Sequence, residues 1–229
     1  MTAIFLIGVL SISIFAMMEL LSRSSSDLDV FVGVEFAYSD NASDLKELVD
    51  KVKGYTSLFV IGSLPITFNQ TGLAEACDYV VDSGLSLIVL LTDSTMYNFT
   101  IVKEGQVHNY TVFDWMNDAR LKYGDSLLGI YRYDEPGGNQ LDQGAAVMIK
   151  NATDYADAAT LYTLNLGIIV DYYLDYTPRL FTADYSLYWF DYEAGYSAVF
   201  AEFGWNHSRN LNIALCRGAA KALTRIGVL

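Results

Sequence analysis

The chain has 229 residues, is 52% hydrophobic, and carries 27 Asp and Glu against 14 Lys and Arg, a formal charge of -13. That is too apolar for a disordered chain and enough for a substantial core. The acidic balance, with no run of lysine or arginine, excludes the basic footprint that nucleic-acid binding needs.

The first segment, MTAIFLIGVLSISIFAMMELL (1–21), has no charged side chain before Glu19 and leads into the polar, Ser-rich stretch 22–29. Its apolar residues fill every face of a helix rather than one stripe, which is the pattern of a targeting or anchoring segment and not of a core helix. It reads as either a signal peptide or a short uncleaved membrane anchor. Export is also indicated by six N-x-[S/T] triplets, at Asn41, Asn69, Asn98, Asn109, Asn151 and Asn206, more than the composition gives by chance. The expected product is a glycoprotein that is secreted or held at the cell surface, touching the membrane through its N-terminal segment.

From residue 30 to 229 the sequence alternates apolar runs with amphipathic stretches. VFVGVEFAY (30–38) reads as a strand and DLKELVDKVK (44–53) as a helix with Leu45, Leu48, Val49 and Val52 on one face. SLFVIGSL (57–64) is the second strand, LAEACDYVVDSG (73–84) a helix stopped by Gly84, and SLIVLLT (86–92) the third strand. FDWMNDARLKYG (113–124) is a helix, followed by the strand LLGIYRYDEP. A long helical region is expected over 141–174, then strands RLFTADY (179–185) and SAVFAEFGW (197–205), helix 210–223, and IGVL as the start of a seventh strand. Strands alternating with helices imply parallel β-α-β units. A complete eight-stranded barrel typically needs ~250 residues, so the expectation is an α/β, (β/α)-barrel-like domain over 30–229 that is incomplete. A doubly wound sheet is the alternative, but no glycine-rich phosphate loop follows the first strand.

Cys77 and Cys216 are the only cysteines and fall on separate predicted helices, so two buried free thiols are expected rather than a bridge. With no ligand cluster and no phosphate loop, neither a metal nor an organic cofactor is called for, and His108 and His207 are too few for a His-rich site or a Ser-His-Asp triad.

Three glutamates lie at or near the ends of predicted strands: Glu35 in GVEFAY, Glu135 in YRYDEP and Glu202 in FAEFGW. A carboxylate among apolar neighbours is costly unless paired or solvated, and the C-terminal rim of a parallel barrel is where such groups find partners and substrate. Pro136 biases Glu135 towards an extended backbone, and Gly137 with Gly138 allows a sharp turn. The bland alternative makes each a structural carboxylate, Glu135 bonded to Arg132 or nearby backbone and Glu35 or Glu202 paired with Arg209 or a tyrosine.

The Asp134-Glu135-Pro136 triplet on the fourth barrel strand resembles the acid/base position of TIM-barrel glycoside hydrolases of the large retaining clan. YDEPGGNQLD together with EFGWNHSRNLNIALCRGAA is also similar to uncharacterised archaeal cell-surface proteins with that type of barrel. The resemblance implies Glu135 as general acid/base. In that clan the nucleophile lies at the end of strand seven, so here Glu202 or Glu35 would have to serve as the second carboxylate.

Around these, Tyr133 and Asp134 flank the acid, and the aromatic stretch YSLYWFDYEAGY (185–196) is expected to line a carbohydrate cleft through Tyr188 or to pack as a surface loop. Trp205, Asn206 and His207 follow the sixth barrel strand as candidate sugar contacts. Alternatively, Asn206 or Ser208 caps the next helix. Asn41, Asn69, Asn98, Asn109 and Asn206 all fall in connections after strands, on the same face as the acids. Glycans there would crowd the rim, and a non-catalytic surface glycoprotein that binds carbohydrate is the rival reading.

Overall fold

The structure is a computed structural model and describes residues 32–92, 99–103, 105–142, 147–203 and 207–227. The anchoring segment 1–21 and the linker 22–29 lie outside the described residues. Among the described residues no helix is long and apolar enough to cross a membrane.

The chain runs β1 (Gly33–Phe36), α1 (Ala42–Val52), β2 (Leu58–Ile61), the single turn α2 (Leu64–Thr67), α3 (Gln70–Asp82) and β3 (Ser86–Leu90). It continues through β4 (Phe99–Lys103), β5 (Gln106–Tyr110), α4 (Val112–Tyr123), β6 (Leu127–Tyr131), α5 (Pro136–Leu141) and α6 (Tyr155–Leu174). Then come β7 (Leu180–Asp184), α7 (Tyr188–Glu193), β8 (Ala198–Ala201), α8 (Arg209–Ala222) and β9 (Ile226–Gly227).

Each long helix starts where a short polar side chain takes an orphan N–H. Asn41 accepts from Ser43 N at 2.9 Å, Asn69 from Gly72 N at 3.1 Å and Asp154 from Asp157 N at 2.9 Å. Thr111 and Asp114 form a reciprocal capping box. Ser208, rather than Asn206, caps α8.

Seven strands make one sheet in the order β1-β2-β3-β6-β7-β8-β9, and every neighbouring pair is parallel. Spatial order follows chain order, so among the described residues the sheet has no switch point of the kind a doubly wound sheet has. The core confirms this. A large apolar cluster joins one sheet face to the helices, through residues such as Phe59, Ile61, Val89, Ile130 and Val199. The opposite face holds Leu58, Ile88, Leu128, Phe181 and Ala198, flanked by Val60, Tyr131 and Phe200, which are all strand residues. Helices on one face only, with strands in sequence, are the construction of a (β/α) barrel. Among the described residues β1 and β9 do not pair, so the barrel is open, and the IGVL stretch does supply a seventh strand against β8.

Two local expectations are corrected, and one element is added to those expected. The region 141–174 is not one helix: α5 ends at Leu141, and residues 147–154 are non-helical before Asp154 starts α6. The connection after β3 carries an antiparallel hairpin, β4 with β5. The aromatic stretch 185–196 contains the short helix α7, with Tyr188, Tyr192 and Tyr196 at most 1% exposed. Cys77 and Cys216 are buried and free.

Candidate active site

The C-terminal ends of the strands carry the acids. In β1, Val34 and Phe36 pack towards the helices, so alternation places Glu35 on the inner face, in register with inner-face Val60. Its carboxylate lies against Gly62, where a Cβ would come within 2.0 Å of Oε1. Partial burial, then the negative charge of Asp134, raise the Glu35 carboxyl above its usual range. Asp134 itself accepts a hydrogen bond from the Tyr131 hydroxyl, which in turn accepts the Ala183 N–H at 3.2 Å.

Glu135 corrects the expectation drawn from its proline. It sits in the left-handed region, at φ 47° and ψ 56°, with Tyr133 two residues earlier at φ 67°. A non-glycine residue there is strained by about 1–2 kcal/mol, and the following proline does not favour it. Surrounding bonds determine it nonetheless. Glu135 N donates to Ala183 O at 3.1 Å, and Glu135 O accepts from Asn139 N at 2.8 Å and Asn139 Nδ2 at 2.9 Å. The chain thus leaves β6, turns on Tyr133 and Glu135, and enters α5 with Pro136 in its first turn.

Glu202 follows β8, with its N–H on Asp184 O at 2.7 Å and its carbonyl held by Asn212 Nδ2 at 2.9 Å. Its side chain is hydrogen-bonded to that of Glu135, and its carboxyl is pushed up to about 7. Burial is the largest cause, followed by the hydrogen bond and charge of Glu135 and the charges of Asp134 and Asp184. Two carboxyl groups this close cannot both ionise cheaply, which is why the charge of Glu135 adds to burial in raising Glu202. Beneath the acids the inner face is aromatic. The rings of Phe181 and Phe200 stack at 5.9 Å, and those of Tyr131 and Phe200 at 6.4 Å.

No protein-family model matches the sequence, and no curated protein matches it. Among solved structures, the GH99 endo-alpha-mannosidase from Bacteroides thetaiotaomicron is similar, at 14% identity and a TM-score of 0.41, over 82% of this chain and 52% of that one. The chain spans about half the length of that structure. The barrel assignment stands on strand order and the one-sided helices of the chain itself.

The structure therefore brings Glu35, Asp134, Glu135 and Glu202 together at one rim. Tyr133 is half-buried beside them, its ring 5.9 Å from the Arg132 guanidinium carbon. Tyr188 is not there: it is 1% exposed in the core between sheet and helices. From the aromatic stretch 185–196 it is Tyr185 that lies near the rim, its hydroxyl donating to Asp142 at 2.7 Å and its ring 5.1 Å from that of His207. Trp205, Asn206 and Asn98 lie outside the described residues. Asn41, Asn69, Asn109 and Asn151 are all exposed. Among the described residues no three His, Cys, Asp or Glu side chains are arranged to hold a metal ion.

Asp184 is the acid that the sequence reading missed. It ends β7, is fully buried, and accepts from Gly137 N at 2.6 Å, Tyr185 N at 2.6 Å and Ser186 N at 3.1 Å. The signal was present, because RLFTADY places an acid at the end of an apolar run just as GVEF and FAEF do.

Proposed function

We propose that this chain is a carbohydrate-active, glycoside-hydrolase-like barrel whose general acid/base is Glu135, working with the proton it shares with Glu202. Glu35, on the inner face beyond Asp134, is the second carboxylate. What supports this reading is the meeting of Glu35, Asp134, Glu135 and Glu202 at one rim, where burial and neighbouring charge raise the Glu202 carboxyl to about 7, so that it can both give and take a proton near neutral pH. Acids above an aromatic inner face suit a sugar, whose hydroxyls seek carboxylates and whose apolar face stacks on rings. Export, and tethering through residues 1–21, belong to the same proposal and rest on the N-terminal apolar run and the six triplets.

A second reading, a carbohydrate-binding surface glycoprotein without turnover, is favoured by one feature. Glu135 lies close enough to Glu202 to raise its carboxyl, whereas glycoside hydrolysis needs two carboxyl groups held apart, at ~5–5.5 Å for retention or ~6.5–9.5 Å for inversion. A panel of aryl glycosides and oligosaccharides incubated with purified protein separates the two. The first reading expects turnover that falls by roughly 10²–10⁴-fold in Glu135→Gln. Unchanged turnover in that variant removes Glu135 from the chemistry, and saturable binding with no product supports the second reading.

A further inference from the structure

Behind the rim lies a second pair of acids that the chemistry above does not use. Asp191, on α7, is fully buried. Its Oδ1 accepts the Tyr162 hydroxyl at 2.7 Å. Its Oδ2 meets no N–H or O–H donor among the described residues, and the group within hydrogen-bond reach of the Asp191 carboxyl is the carboxylate of Asp184. Asp184 is an acceptor at both oxygens: Oδ1 takes Tyr185 N, Ser186 N and Ser186 Oγ, and Oδ2 takes Gly137 N. Two ionised carboxylates touching in the core, one with an oxygen that nothing satisfies, would be very costly. A single proton on Asp191 Oδ2 resolves both problems, because it gives the orphan atom a role as donor and leaves one charge where two would repel.

We propose that Asp191 is a neutral carboxylic acid donating a hydrogen bond to Asp184, and that this buried pair is the positioning element that holds Glu135 at the rim. The route is short. Asp184 grips the Gly137 N–H in the first turn of α5, two residues after Glu135, and Ala183, its neighbour in β7, accepts the Glu135 N–H. The closeness of the grip is why residue 137 is glycine, since a Cβ there would sit 2.3 Å from Asp184 Oδ2. Among the described residues the titratable groups that face the pair are Tyr162, Tyr185, Tyr188, Tyr192, Tyr196, Cys216 and Glu202, none of them cationic. No positive charge therefore competes for the Asp191 proton from these neighbours.

The protonation half of the proposal stands without any catalysis, whereas the positioning of Glu135 for turnover rests on the reading given under Proposed function. The test is a pair of amide variants. Asp191→Asn keeps both bonds, with its Nδ2–H replacing the acid proton and its Oδ1 still accepting from Tyr162. Asp184→Asn cannot keep its own, since its amide must turn an NH2 group towards either the Gly137 N–H or the Tyr185 and Ser186 N–H groups. At pH 8.5, where Glu202 has ionised, the infrared difference between wild type and Asp191→Asn should show one neutral carboxylic-acid carbonyl band lost, with the Gly137 amide proton resonance unmoved. Asp184→Asn should shift that resonance upfield and, if the chain is a hydrolase, lower turnover on the order of a hundredfold, while Asp191→Asn leaves turnover near the wild-type rate. The absence of a neutral-acid band, or a displaced Gly137 resonance in Asp191→Asn, overturns the proposal whether or not any substrate is found.

Discussion

The Asp184 carboxylate and the Gly137 N–H lie 2.6 Å apart, and a methyl group on residue 137 would have to occupy the position of that same carboxylate oxygen. The contact joins the end of β7 to the start of α5 and leaves no room to adjust, because the same Cβ would also lie 2.6 Å from Leu187 Cβ. Gly137→Ala should destabilise the protein by about 2–3 kcal/mol, through overpacking and the loss of a hydrogen bond to a charged acceptor. Chemical denaturation should show a lower midpoint at an unchanged slope.

Glu135 should behave as a residue kept for a purpose other than stability. Its left-handed backbone costs about 1–2 kcal/mol, which glycine would not incur. Glu135→Gly should therefore raise the melting temperature by about 2–8 °C for a domain of this size while removing any turnover. A lower melting temperature would mean that the Glu135 carboxyl stabilises the fold through its bond to Glu202 by more than the backbone strain costs.

Glu202 sets the pH dependence of stability at the rim. Its folded pKa of about 7 lies above the ordinary 4.5, so between these values the folded state binds more protons than the unfolded state. Stability from this group is fully present below about pH 4.5 and is lost as pH rises through about 7. The formal charge of -13 adds self-repulsion in the same direction at higher pH. Glu202→Gln should raise the melting temperature at pH 8 and leave it nearly unchanged at pH 4.5, a comparison that calorimetry at the two pH values makes directly.

Gly62 should govern Glu35 in a different way. A Cβ at position 62 meets the Glu35 carboxylate at 2.0 Å, but that carboxylate ends a flexible side chain on the open inner face. Because the nearest atoms to that Cβ all belong to the Glu35 side chain, Gly62→Ala should displace Glu35 with little effect on stability. If Glu35 is the second carboxylate, turnover falls at least tenfold with the melting temperature unmoved.

The parallel repeat was legible because its signal is long: each strand is a nearly continuous apolar run between amphipathic helices, and covering a sheet face leaves that pattern in the sequence. Glu35 and Glu202 were legible for the opposite reason, as charges interrupting such runs. Glu135 was placed on the right rim with the wrong backbone. The local bias from Pro136 points to an extended residue, but bonds from Ala183 and Asn139 decide it, and the one from β7 spans 48 residues of sequence. Tyr188 was chosen where Tyr185 belongs because a run of aromatics hides the turn of α7, which sends Tyr188 and Tyr192 inward. The hairpin of β4 and β5 has no counterpart among the elements expected from the sequence. Its strands are five residues each with most β5 side chains exposed, so no buried face marks them in the sequence.

The claim on which the functional account depends is that Glu135 and Glu202 share one proton near neutral pH. Carbon-13 titration of the Glu202 side-chain carboxyl, in wild type and in Glu135→Gln, tests it most directly. A midpoint near 7 in wild type that falls towards the ordinary carboxylate range in the variant is the predicted result, since the variant loses Glu135's charge while burial remains. A wild-type midpoint near 4.5, or one that Glu135→Gln leaves in place, would contradict it.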